Sequence, residues 1–445
     1  MKRLAPALAP VLALVTLVGG AACTFEQDPA MMPDAGVAPG ADAPPDTAGG
    51  CVPGLAGAPC VLDLHDAAIA GCEPGAVGKL RAALDERANL GPLWSAGRAL
   101  FRTDQATHVA GDFNGWSQTA LTSAAVCNTD LFVAVGPVAK GYWAYKLFDG
   151  QTWSLDPQNP AFAYDDFSGN LDGKNSVLNT PGSGKGHLVK LARACSSALG
   201  NCREVTAYYP RDYTAPETGA TTYPVLFMHD GQNLWDDHDC CFNHTGWEIN
   251  VALDAEIAAG RVAPVIVIGA ASTTSRNNEY GLSPTAMAAF MTYQVEELQP
   301  QALAQVRWNR EKVAVGGSSL GGLVSMHLAL TYPQTYGAAA SLSGAFWPGQ
   351  DQGFALRDKL PAYGKQALAV YVDSGGNVAQ NSDGAADTAE VRDLMAAIGW
   401  TRSDSPSCAP GPNALCYHFE PGATHDELAW KARTWRFLRF LFPAT

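Results

Sequence analysis

Between Glu311 and His327 the chain reads Glu-Lys-Val-Ala-Val-Gly-Gly-Ser-Ser-Leu-Gly-Gly-Leu-Val-Ser-Met-His, an order that few folds accommodate. Lys312–Val315 is a short apolar run with β-branched side chains, which predicts a buried strand. Glycines follow, and Leu320–Leu330 then repeats apolar residues at helical spacing. Strand, glycine turn and helix together make Gly317-Ser318-Ser319-Leu320-Gly321 a nucleophile elbow. The turn is tight, so side chains at its glycines would collide with the flanking strand and helix. It lifts Ser319 Oγ above the sheet edge and aims the Leu320 N–H at a developing oxyanion. In a chain with 45 glycines among 445 residues the bare pattern is weak, and its context gives it weight. The chemistry it predicts is acyl transfer to water.

From Gly186 onward, apolar strands alternate with helical stretches. Strands are predicted at 224–228, 265–268, 313–315, 338–342 and 367–372, and helices at 247–259, 284–298 and 320–331. This is an α/β layout with a mainly parallel sheet, whose ligands bind at the carboxyl ends of strands. His229-Asp-Gly-Gln-Asn233 follows one such strand, and a backbone N–H near Gln232 is the second oxyanion donor expected. The base is expected after the last strand, Cys416–Glu420. His425 lies in the loop that follows, before an amphipathic helix at 430–441, whereas His418 sits within the strand alternation. The acid falls between nucleophile and base. Asp383, in the loop before a helix at 388–398, is preferred, with Asp373 at the strand end as second candidate and Asp387 as helix N-cap.

The chain begins with Lys2 and Arg3, a Leu/Val/Ala run and Gly-Gly-Ala-Ala-Cys23. That is a secretory signal over 1–22, too short to span a bilayer. It resembles a bacterial lipoprotein signal with Cys23 as the lipidated residue, although Gly20 stands where that pattern usually has Leu. Residues 23–60 are rich in Pro, Ala, Asp and Gly and predict a flexible spacer. Two domains follow, at 61–183 and 184–445. A net charge of −14 argues against a nucleic-acid or anionic-lipid surface, so the lipid anchor is the one membrane contact expected. Without Cys23 ten cysteines remain, which in an exported chain suggests disulfides. Cys195/Cys202 and Cys408/Cys416 are spaced as loop staples, and adjacent Cys240 and Cys241 are expected to reach separate partners. His229, Asp236, Asp237, His238, Asp239, Cys240, Cys241 and His244 crowd one stretch, but their spacing fits no zinc pattern and no metal is expected.

Gly75–Leu100 carries Leu80, Ala83, Leu84 and Ala88 at helical spacing and predicts one helix. From Ala99 to about Thr180, alternating strands and frequent turns predict a β-sandwich. Its His108-Val-Ala-Gly-Asp-Phe-Asn-Gly-Trp116, Gly141-Tyr-Trp-Ala-Tyr-Lys146 and Asp156-Pro-Gln-Asn-Pro160 segments resemble the early-set, immunoglobulin-like domains of carbohydrate-binding module family forty-eight. The resemblance makes Trp116, Trp143 and Trp153 candidates for stacking on sugars; packing of the sandwich core is the alternative.

His229–Asn233, Arg276-Asn-Asn-Glu-Tyr280, Gly316–Gly322 and Gly422-Ala-Thr-His-Asp-Glu427 followed by Trp430 resemble the α/β-hydrolase family of feruloyl, acetyl-xylan and siderophore esterases. Many members carry the acid in a compact Gly-x-x-Asp, which Gly375-Gly-Asn-Val378 lacks. The resemblance implies a serine esterase without cofactor, in which Ser319 attacks, His425 moves the proton, Asp383 orients His425, and Leu320 and Gln232 hold the oxyanion. Arg276 is expected beside the oxyanion turn, paired with Glu279 or touching substrate, and Trp235 and Trp347 as walls of an acyl pocket. Acyl esters on polysaccharide are the leading substrate; a siderophore esterase and an inactive glycan-binding lipoprotein are the rivals.

Overall fold

The computed structural model describes residues 58–165, 173–214, 220–237, 240–241, 245–311, 313–350 and 352–444. The signal, Cys23, most of the spacer, and His238, Asp239 and His244 lie outside the described residues.

The N-terminal part runs α1 (Ala58–Gly71), α2 (Pro74–Asp85), β1 (Leu93–Ser95), β2 (Arg98–Thr103), β3 (His108–Gly111), β4 (Ala124–Ala125), β5 (Phe132–Pro137), β6 (Tyr142–Phe148), β7 (Trp153–Ser154), β8 (Ala161–Tyr164) and β9 (Lys174–Asn179). Two helices therefore stand where one was expected, and α1 starts inside the stretch assigned to the spacer. A Cys72–Cys127 disulfide ties the helical hairpin to the strands. One antiparallel sheet has the order β1-β2-β5-β4. Its Phe101 and Ala134 share an apolar cluster with Val109, Tyr145, Leu147 and Leu178 of the neighbouring strands.

Those neighbours do not form a sheet of their own. Strand β8 pairs with β10 (His187–Ser196), which hairpins into β11 (Asn201–Tyr209) and so joins the C-terminal body. The body continues with β12 (Val225–Met228), α3 (Ile249–Ala258), β13 (Ile266–Ala270), α4 (Pro284–Tyr293), α5 (Gln299–Leu303), β14 (Val313–Ser318), α6 (Leu320–Thr331), β15 (Tyr336–Leu342), α7 (Leu356–Tyr363), β16 (Ala369–Ser374), α8 (Ala385–Ala397), β17 (Thr401–Asp404), β18 (Ala414–Phe419) and α9 (Glu427–Leu441). The order β17-β18-β16-β15-β14-β12-β13 is parallel throughout, and β11 and β10 add on antiparallel. The result is a mixed α/β fold built on one large sheet.

The core follows from the two-residue period of strands. Val225, Phe227, Val313, Val315, Val370 and Val372 face one apolar layer with α4, α6, α7 and α8. Leu226, Met228, Ala314, Ala340 and Tyr371 face the other, with α3 and α9. Both faces are covered, which is why β12 to β16 read as unbroken apolar runs. Helix α8 begins at Ala385 with Gly384 as N-cap, so Asp387 is not the cap; it accepts from Gln350 and Asn381 instead. Adjacent Cys240 and Cys241 bond to one another, contrary to the expectation of separate partners. All the other described cysteines are already disulfide-bonded, and none remains for either of them.

Phe437 is fully buried between α9 and β16, its ring 6.2 Å from that of Tyr371. Phe437→Ala should cost about 3–5 kcal/mol of stability by urea unfolding, and a loss below about 1 kcal/mol would contradict this packing.

Candidate active site

Ser319 stands alone between β14 and α6, with φ +55° and ψ −125°, a region that non-glycine residues rarely occupy. Close approach requires the glycines around it. A Cβ on Gly317 would lie 2.8 Å from the Gly321 carbonyl carbon, and one on Gly322 would lie 2.5 Å from Ser341 Oγ. Backbone bonds clamp the turn: Ser319 N–H donates to Leu342 O (3.0 Å), and Ser319 O accepts from Leu323 and Ala345 (3.1 and 3.0 Å). Leu320 is the first residue of α6, so its N–H has no acceptor within the helix.

After β12 the chain turns sharply at Asp230, with φ +57°. Gly231 packs so closely on Gly269 that a side chain there would enter the neighbouring strand's backbone. The Gln232 side chain is clasped by Ser272, which accepts at 2.9 Å and donates its N–H at 3.0 Å, fixing the turn that carries the Gln232 backbone. Arg276 grips Asp230 with two bonds, of 2.6 and 2.7 Å. The expected Arg276–Glu279 pair is not formed, because Glu279 bonds buried Arg203 at 2.7 Å. Arg276 thus braces the turn from behind through Asp230.

At the same carboxyl end of the parallel sheet, His425 follows β18, and its Nδ1 lies 2.6 Å from Asp383 Oδ1. Its ring meets Trp430 edge-on at 5.1 Å. The Asp383 side chain is 1% exposed, and its Oδ2 accepts from Ser343 Oγ (2.7 Å) and from the Gly375 N–H. Asp373 points back into the sheet, where it accepts from Tyr371 Oη (3.0 Å), the Ser343 N–H (3.1 Å) and Arg433 (3.2 and 3.3 Å). His418 bonds Glu420 at 2.9 Å. The structure therefore joins His425 to Asp383 and gives Asp373 and His418 other partners. Ser343, Arg433 and the Gly375 N–H escaped the sequence reading; the position of Ser343 just after β15, beside the nucleophile strand, was the available signal.

The tryptophans divide. Trp235 is buried in the core against Gly269, whereas Trp347, after β15, is 50% exposed. Trp143 donates to Ala139 O and packs on the N-terminal apolar cluster. Trp116 and Trp153 meet edge-on at 6.1 Å, and Trp153 also lies 4.8 Å from Phe148. His229 is tied by Nδ1 to Gly316 O (3.2 Å) and Ser325 Oγ (2.9 Å), and burial pushes its pKa down to about 4. It buttresses β14 and α6 as a neutral ring.

Residues 196–436 match the family described as "Putative esterase", and the chain belongs to that family. It is 31% identical over 160 residues to the iron(III) enterobactin esterase of Dickeya dadantii (strain 3937), covering 35% of this chain and 34% of that one. It is 27% identical over 159 residues to an endo-1,4-β-xylanase/feruloyl esterase of Xylanibacter ruminicola, covering 34% of this chain and 20% of the other. The chain thus spans about a third and a fifth of these relatives' lengths. Among solved structures, an enterobactin esterase from Shigella flexneri aligns with 78% of this chain and 95% of its own, at 17% identity and TM-score 0.42. A ferulic acid esterase aligns with 59% and 99%, at 16% identity and TM-score 0.44.

Burial likewise pushes His187 and His327 down to about 4. The unfolded chain binds protons on these three rings below about pH 6.5, whereas the folded one refuses them until about pH 4. Stability should therefore fall steadily as pH drops through that window, by about 3 kcal/mol per ring at most. Urea midpoints that stay level from pH 7 to 4.5 would contradict the burial of neutral histidines.

Proposed function

We propose that the protein is an exported serine esterase that cleaves carboxylic acyl esters through an acyl-enzyme. The observation that carries this reading is the His425–Asp383 pair, held at the same sheet edge as the strained Ser319 elbow. Ser319 Oγ attacks the ester carbonyl while His425 Nε2 takes its proton. The N–H groups of Leu320 and Gln232 receive the oxyanion, and His425 returns the proton to the leaving alcohol oxygen. Water then attacks the acyl-enzyme by the reverse sequence. Asp383 keeps Nδ1 protonated and stabilises the imidazolium without taking the proton.

For the substrate, the exposed apolar side chains are informative. Leu282, Trp347, Val378 and Leu428 are all large, apolar and exposed, and they sit after β13, β15, β16 and β18, at the carboxyl end of the sheet. This favours an apolar or aromatic acyl group, as in feruloyl esters of polysaccharide, over acetyl esters alone. The Dickeya relative's name favours a second reading, an iron(III) siderophore ester. We read the N-terminal strands as an early-set β-sandwich, with Trp116 and Trp153 as its glycan-facing aromatics and Trp143 as a packing residue. Cys23 is its lipid anchor in this reading, placing the enzyme on the outer side of a bacterial membrane.

Methyl ferulate, p-nitrophenyl acetate and a ferric siderophore ester separate the readings. Wild-type protein should turn over ferulate, and Ser319→Ala should lose about 10⁴-fold or more in kcat. Turnover of the siderophore ester alone would move the substrate, and no turnover of any ester would leave a glycan-binding lipoprotein.

A further inference from the structure

Behind His425 lies a buried cluster in which the proton and both lone pairs of one hydroxyl are committed. Ser343, the first residue after β15, is fully buried with φ +46°. Its Oγ lies 2.7 Å from Asp383 Oδ2, 3.0 Å from Trp430 Nε1 and 2.8 Å from Arg433 Nη2. A hydroxyl has one proton and two lone pairs, and indole and guanidinium nitrogens only donate. Trp430 and Arg433 therefore occupy both lone pairs, and the proton of Ser343 can go only to Asp383. With Oδ2 also accepting from Gly375, Asp383 has Oδ1 left for His425.

Arg433 is 1% exposed and bonds Asp373, which is also sealed, while its Nη2 stays 3.9 Å from Asp383. Every partner of the two carboxylates is a donor, as two ionised groups require. The cluster then holds two negative charges against one positive while His425 is neutral, and it balances when His425 takes a proton. Asp373 is what keeps Arg433 from claiming Asp383. Without it the guanidinium charge would bear on Asp383 and oppose the imidazolium.

Resting on the esterase reading above, we propose that Ser343 and Arg433, with Asp373, are positioning residues for the general base. Arg433, anchored by Asp373, commits the Ser343 proton to Asp383, so that Asp383 presents one oxygen to His425 and keeps its charge for the imidazolium.

The test follows His425 by NMR in histidine-labelled full-length protein, with ester kinetics in parallel. Ser343→Gly removes the hydroxyl, and glycine accepts the backbone at φ +46° without strain. It should weaken the far-downfield His425 Nδ1 proton signal and lower kcat by about tenfold to a hundredfold at unchanged KM. Asp373→Asn should move the titration of His425 to lower pH, and Arg433→Met should move it to higher pH, each by about one pH unit. The other charges around the loop are unaltered in all three variants: Glu420 with its partners His418 and Arg436, Asp426 and Glu427 at the start of α9, and Arg276, which Glu427 faces. Loss of the two charges alone gives shifts of opposite sign, so the Ser343→Gly proton signal and its split between kcat and KM separate positioning from a merely structural role. Shifts in the same direction, or a Ser343→Gly protein with unchanged proton signal and kcat, would overturn the proposal. If Asp373→Asn or Arg433→Met fails to fold, Ser343→Gly alone decides it. Opposite shifts in a protein that hydrolyses no ester would uphold the network and refute the esterase reading.

Discussion

One residue held in an unfavourable backbone conformation organises this molecule. Ser319 costs on the order of 1–3 kcal/mol at its φ and ψ, and it persists because its surroundings leave no alternative. The β14 ladder fixes the residue before it, α6 fixes the one after it, and both its backbone polar groups are committed to the β15 side. The two glycines needed are those whose Cβ would strike backbone or Ser341. The apolar core on both faces of the sheet offsets the strain, and the serine sits half-buried where the parallel strands end.

Everything else in the site is placed by neighbouring strands ending at that edge. The turn after β12, which carries the proposed oxyanion donor, is held by the Asp230–Arg276 clasp and by Ser272 on Gln232. The loops after β15, β16 and β18 bring Ser343, Asp383 and His425 into one hydrogen-bonded chain. Charges in the two supports differ in consequence. Arg276 is matched by Asp230 and leaves the turn rigid, whereas Arg433 is outnumbered by two carboxylates and leaves one of them for the base.

Much of this was legible wherever local pattern decides the outcome. Helix α6 follows the apolar spacing of 320–331, the parallel strands follow their β-branched runs, and His425 was separable from His418 because only one lies outside a strand. Of the two carboxylates the sequence offered, loop Asp383 bonds His425 while strand-end Asp373 turns inward to Arg433. The unread parts depend on partners far away in sequence. Arg276 reaches Asp230 across 46 residues and Arg433 reaches Ser343 across 90, distances over which no periodicity speaks. Trp235 looked like a pocket wall because it follows a strand end, yet the glycine at 269 leaves a slot that its ring fills. Pairing of β8 with β10 was equally invisible, since it rests on two residue pairs.

The central claim is that Ser319 is a nucleophile driven by His425. Intact-protein and peptide mass spectrometry after brief exposure to a reactive fluorophosphonate tests it most directly. The account predicts a single adduct on Ser319 that forms rapidly in the wild type and very slowly in His425→Ala. An adduct on another residue, or equal labelling in both proteins, would contradict it.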